Sequence, residues 1–118
     1  MGVGRVVTPS IWQHADVRVA LVPDLMDRSR LNGIADLVVV NSAAALEAVA
    51  GLGAGDVVAV DLSRDRALEV AGRIAAAGAT VFGFASHVDS DTLRAANAVG
   101  VNAMARSAFF GRAHELFN

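Results

Sequence analysis

Polar side chains that could do chemistry follow four of the five apolar runs in the chain. Asp24 follows the first run, Asp61 the third, Ser86 the fourth and Arg106 the fifth. Two carboxylates can hold a divalent cation or act as a general base, and a hydroxyl or guanidinium can bind an oxyanion. Asp61 directly abuts its apolar run, where a charged side chain is costly unless it is solvated or liganded. Asp61 is therefore the first candidate for chemistry.

The apolar runs themselves predict five β-strands. They contain four to six residues each, apart from a weaker fifth run, and lie at 17–22, 37–40, 57–60, 81–84 and 103–105. Continuous Val-rich runs, as opposed to apolar and polar residues in alternation, indicate strands that are covered on both faces. They predict a parallel sheet between two layers of helices.

Segments of helical period separate and follow these runs. They predict helices at about 26–33, 42–50, 66–77 and 89–99, and a last helix that Ser107 caps. Strict alternation of strand and helix predicts an α/β fold, the flavodoxin-like doubly wound five-stranded parallel sheet of order 2-1-3-4-5, with helices on both faces. Ligands bind such sheets where the strand order reverses, between the first and third strands. Asp24 and Asp61 are expected to meet there, whereas Asp27, Asp65 and Asp89 are interpreted as loop residues or helix caps.

The chain is predicted to form one domain at 17–118, preceded by an N-terminal extension at 1–16. Within the extension, Arg5-Val6-Val7 could form a sixth short strand, and the following loop could pack Trp12 against the domain.

The glycine-rich segment Gly51 to Gly55 follows a predicted helix and precedes a predicted strand, so it is predicted to be a turn and not a dinucleotide-binding loop.

Composition excludes several classes of function. The 118 residues contain no cysteine, which removes thiolate catalysis and cysteine-ligated metals. All ten basic residues are arginine, which removes every mechanism that needs a lysine amine. The net charge of -2 and the scattered arginines argue against nucleic-acid binding. Because no apolar run has the length of a membrane span, a cytoplasmic protein without membrane contact is expected.

The pattern from Val17 to Phe117 resembles the response-regulator receiver domain, the phospho-acceptor module of two-component signalling. The segment around Asp61 is similar to the segment that ends in the phospho-acceptor, and Pro23-Asp24 resembles the acidic pair with proline in the first place. Ser86 lies one residue after the usual switch hydroxyl, and Arg106 or Ser107 stands where the family has lysine.

The resemblance implies Asp61 as phospho-acceptor, Ser86 and Arg106 as switch residues, and Mg²⁺ held by Asp24 and Asp61 as the one cofactor. Pro23 removes a metal ligand, and arginine is not a conservative replacement for lysine at a tight site. We therefore expect an atypical receiver or pseudo-receiver that is not an enzyme, with phosphorylation of Asp61 weakened or absent.

The resemblance also implies a protein partner or self-association as a homodimer, through the fourth helix, fifth strand and last helix. One alternative is a small enzyme that uses the same cleft, with Asp61 or His87 as general base and Ser86 or Arg106 on an oxyanion. Another is a nucleotide- or flavin-binding module, against which stand the missing phosphate loop and the negative charge of Asp24.

Overall fold

A single five-stranded parallel sheet forms the centre of the computed structural model, which describes residues 16–117. Its strand order is β2-β1-β3-β4-β5, which confirms the predicted doubly wound order 2-1-3-4-5. The strands are β1 (Arg18–Leu21), β2 (Leu37–Val40), β3 (Val57–Asp61), β4 (Thr80–Ala85) and β5 (Asn102–Ala105). Each strand begins and ends within one residue of its predicted position.

Five helices alternate with the strands: α1 (Leu25–Ser29), α2 (Ala43–Glu47), α3 (Ala67–Ala76), α4 (Ser90–Ala98) and α5 (Arg106–Leu116). Two separate apolar cores form because successive strand residues point to opposite faces of the sheet. Val19 and Leu21 of β1 pack in the core that holds α2, α3 and α4, whereas Ala20 packs in the core that holds α5. The central strands are therefore apolar on both faces.

Several predicted helix ends are confirmed and others are wrong. Ser42 caps α2 by accepting from the Ala45 N–H at 3.1 Å, and Asp89 caps α4. Ser107 does not cap the last helix, because α5 begins at Arg106 directly where β5 ends, and Ala105 occupies the N-cap position without a side-chain bond. The first two helices are also shorter than predicted, since each has only five residues.

The segment that leaves β3 is held tightly against β4. The Leu62 N–H donates to the Phe84 carbonyl at 2.9 Å. A Cβ on Gly83 would lie 2.7 Å from Cδ1 of Leu62, so any larger residue at this position would force the Leu62 side chain to move. The start of the loop that follows Asp61 therefore packs closely on β4.

The predicted N-terminal extension lies outside the described residues apart from Asp16. The strand at Arg5-Val6-Val7 and the loop that carries Trp12 belong to that extension and stay predictions. Within residues 16–117, no helix has both the length and the apolar character that crossing a membrane requires.

Candidate functional site

The four predicted site residues follow strands at one edge of the sheet, where the carboxyl ends of the strands meet. We call this the carboxyl edge. β1 and β3 are neighbours in register, with Leu21 opposite Val60, so the chain places Asp24 and Asp61 at adjacent strand ends. β4 and β5 pair up to Ala85 and Ala105, and Ser86 and Arg106 are the next residues. The topology thus gathers these side chains at one edge, as the sequence predicts.

The Asp61 carboxylate is buried and is bound by its own loop. The residue is 2% exposed. Its Oδ1 accepts from the Ser63 hydroxyl at 2.6 Å and from the Ser63 N–H at 3.1 Å, and its Oδ2 accepts from Nε of Arg64 at 3.1 Å. A buried charge requires such partners, because water no longer solvates it. Both carboxylate oxygens are therefore already engaged.

Asp24 is the exposed N-cap of α1. Its Oδ1 accepts from the Asp27 N–H at 3.0 Å. This backbone hydrogen bond is the main cause that lowers the pKa of Asp24, with a second one from Met26 and the positive charges of Arg106 and Arg64 acting in the same direction. Asp24 consequently stays ionised down to a pH below the one at which an aspartate ordinarily becomes protonated.

Asp27 forms an ion pair that sequence reasoning missed. Interpreting it as a loop or cap residue was wrong: it lies inside α1, is 4% exposed, and accepts from Nη2 of Arg106 at 2.6 Å. The two residues are 79 positions apart in the chain. Nothing local to Asp27 indicates its partner, so only the tertiary structure, which brings α1 and the first residue of α5 together at the carboxyl edge, reveals this pair.

The Arg106 guanidinium lies at the carboxyl edge, over two aromatic rings. Its guanidinium carbon lies 5.6 Å from the Phe84 ring centre and 5.5 Å from that of Phe110, within the range of cation–π contact. The hydrogen bond to Asp27 is the main cause that raises the pKa of Arg106, and the charges of Asp61 and Asp24 add to it. Arg106 thus supplies fixed positive charge to an acidic cluster.

Ser86 and His87 are exposed loop residues. The Ser86 hydroxyl accepts from the Val88 N–H at 3.4 Å, and the Ser86 carbonyl accepts from the Asp89 N–H at 2.9 Å. These contacts shape the turn that leads into α4. No hydrogen bond within the described chain links Ser86 to Asp61 or Arg106, so its role as a switch residue stays a prediction.

The donor atoms at the carboxyl edge fit a divalent cation poorly. Within the range 16–117, no group of three or more histidine, aspartate or glutamate residues has the arrangement of a metal site. Mg²⁺ demands near-octahedral oxygen ligands. Asp24 uses one oxygen to cap α1, and Asp61 uses both for Ser63 and Arg64. Mg²⁺ at Asp24 and Asp61 stays a prediction that this geometry does not favour.

Two cavities lie away from the carboxyl-edge residues. One of about 230 Å³ lies between α2 and α3, and one of about 510 Å³ lies between α3 and α4. The larger is lined mainly by apolar side chains such as Leu68, Ala76 and Val99. Neither is lined by Asp24, Asp61, Ser86 or Arg106, so neither supplies a substrate pocket to these residues.

The charge of Asp24 predicts a dependence of stability on pH. Because the folded pKa is lowered, its contribution is present above the unfolded pKa and is lost as the pH falls through the folded pKa. We expect Asp24→Asn, which keeps an N-cap side chain without charge, to melt at a lower temperature than wild type at pH 7. The difference should begin to shrink as the pH falls below the unfolded pKa of about 4, and it should vanish only below the lower folded pKa. A difference that stays constant from neutral to acidic pH would assign it to cap geometry alone.

No protein-family model matches the chain, and comparisons with curated proteins and with solved structures find no significant similarity.

Proposed function

We propose that this domain is an atypical receiver-like module for protein interaction in signalling, in which phosphorylation of Asp61 is weakened or absent. The observation that carries this proposal is the internal pairing of the acceptor carboxylate. Both Asp61 oxygens accept hydrogen bonds from Ser63 and Arg64. A phosphoryl group would have to break these bonds in a site where little water can replace them.

The other residues of the carboxyl edge support the same proposal. A receiver-like phosphorylation site needs a cation beside the acceptor, and the oxygen ligands here are engaged in capping or in ion pairs. Arg106 is already paired with Asp27, so it has less freedom to follow a phosphoryl group at Asp61. What remains is an edge whose charged side chains are paired within the chain, which suits a docking module.

The test is a titration of the full chain with beryllofluoride and Mg²⁺, a mimic of the phosphoryl group, followed by amide NMR. We expect no chemical-shift changes at Asp61, Ser63 or Arg106, because the carboxylate is not free to receive the mimic. Asp61→Asn serves as the matched control. Shifts at Asp61 in the wild type that disappear in Asp61→Asn would overturn the weakened-phosphorylation part of the proposal.

A further inference from the structure

Large apolar side chains are exposed on both sides of Asp61. Among residues 16–117, the three most exposed are Leu25 at 76%, Met26 at 77% and Val88 at 76%. Leu25 and Met26 begin α1 after β1, and Val88 lies in the loop after β4. Because β1 and β4 flank β3 in the sheet, these apolar residues border the carboxyl edge from two sides. Clusters of exposed apolar residues with a polar rim mark interaction sites.

The charges of the same edge leave a negative surplus. Three of its arginines pair with carboxylates of the chain: Arg64 with Asp61, Arg66 with Glu47 and Glu69, and Arg106 with Asp27. Two more arginines, in the α1 segment, pair with no carboxylate of the described residues: Arg28 donates its Nε–H to the Val22 carbonyl at 2.8 Å, and Arg30 lies over the Phe110 ring. Likewise, no arginine in the described part of the chain pairs with Asp24, Asp65 or Asp89. Asp24 is exposed and, as an aspartate with a lowered pKa, ionised well below neutral pH.

We propose that a basic amphipathic segment of a partner protein docks on this carboxyl-edge surface, defined by Leu25, Met26, Val88, Asp24, Asp65 and Asp89. Apolar side chains of the partner would cover the exposed apolar residues, and its basic side chains would face the carboxylates. Charge complementarity of this kind gives specificity and speeds association. An acidic partner would instead be repelled.

The inference rests on the proposed function, because it names the partner of that docking module. It places docking at the carboxyl edge instead of on the α4, β5 and α5 surface that the receiver resemblance implies. The latter surface exposes small side chains and polar or charged ones, such as Arg94, Asn97 and Arg112, in place of large apolar side chains. Its one largely exposed big apolar residue, Val99, is 50% exposed and ends α4 at the opposite edge of the sheet.

The experiment compares two short synthetic amphipathic peptides that share one leucine pattern, with lysine in the first and glutamate in the second. Amide NMR of the full chain should show shifts at residues 24–26, 64–65 and 86–89 with the leucine–lysine peptide only. Added salt should weaken this binding, because screening acts on exposed charges. Shifts confined to α4 and α5, equal binding of both peptides, or no binding would each overturn the proposal.

Serine variants locate the surface. Met26→Ser and Val88→Ser should each weaken binding of the leucine–lysine peptide about fivefold or more, as expected for anchors that each contribute about 1 kcal/mol or more. Val99→Ser is the matched control and should leave the affinity unchanged. Equal losses in all three variants would overturn the assignment. The peptide experiment needs neither Mg²⁺ nor a phosphoryl mimic, so its failure is distinguishable from failure of the beryllofluoride test.

Discussion

Replacing Arg106 with methionine is expected to lower the free energy of unfolding by about 2–3 kcal/mol, because Asp27 is left buried without its partner. Asp27 is 4% exposed, and its Oδ1 lies 2.6 Å from Nη2 of Arg106. Breaking a fully buried pair costs about 3–5 kcal/mol, and the smaller figure allows for an Arg106 side chain that is 42% exposed. Denaturant unfolding followed by circular dichroism measures the loss.

Two further variants distinguish the contribution of the ion pair to stability from that of the apolar part of the arginine side chain. Asp27→Leu combined with Arg106→Met should regain most of the stability, because a well-packed apolar pair avoids the unpaired buried charge. Arg94→Met is the matched control: Arg94 pairs with Asp91, both side chains are mostly exposed, and the loss should stay below about 0.5 kcal/mol. Equal losses for Arg106→Met and Arg94→Met would show that the Asp27 pair does not stabilise the fold.

Phe84→Ala is expected to have the largest effect of any change near the site, a loss of about 3–5 kcal/mol. Phe84 is fully buried, and its ring lies 4.8 Å from that of Phe109 and 5.0 Å from that of Phe110, measured between ring centres. Removing the ring leaves a cavity in the core beneath α5 and takes away one of the two rings under the Arg106 guanidinium. Thermal and denaturant unfolding both report this loss.

Phe82→Ala provides the comparison for that prediction. Phe82 lies two residues earlier on β4 and packs against the same core, but it is only partly buried. Phe82→Ala should therefore lower the free energy of unfolding clearly less than Phe84→Ala does. The double variant Phe84→Ala with Arg106→Met should lose less than the sum of the single losses, because the two side chains share a contact. Additive losses would mean that the Phe84 ring does not help to hold Arg106.

Much of the architecture is readable along the chain. The Val-rich runs fall on β1 to β4, and glycines such as Gly78, with a backbone φ of +107°, follow helix ends. Gly78 adopts a left-handed conformation that other residues rarely tolerate, so its position after an apolar stripe is a local stop signal. The prediction that Ser107 caps the last helix was wrong, although a serine before an apolar periodic segment resembles an N-cap. Because α5 begins at Arg106 directly after β5, Ser107 lies inside the helix.

The environment of Asp61 was partly within reach of the sequence. Asp61 and Ser63 stand two positions apart, the spacing at which an aspartate carboxylate accepts from a nearby backbone N–H. That signal predicts a self-contained turn as readily as a reactive carboxylate. The contact from Arg64 is also local, since it is three residues away. The hydrogen bonds that the Asp61 carboxylate receives from its own loop could therefore have been anticipated.

The order of elements, the parallel sheet and the gathering of four site residues at one edge follow from the sequence alone, because hydrophobic periodicity and chain connectivity dictate them; these residues are Asp24, Asp61, Ser86 and Arg106. Which charges pair is visible only in the folded chain. The Asp27 and Arg106 pair joins residues 79 positions apart. Such a pair depends on the distance between two side chains from separate helices and on the burial of one carboxylate, and neither quantity is encoded in any local stretch of residues.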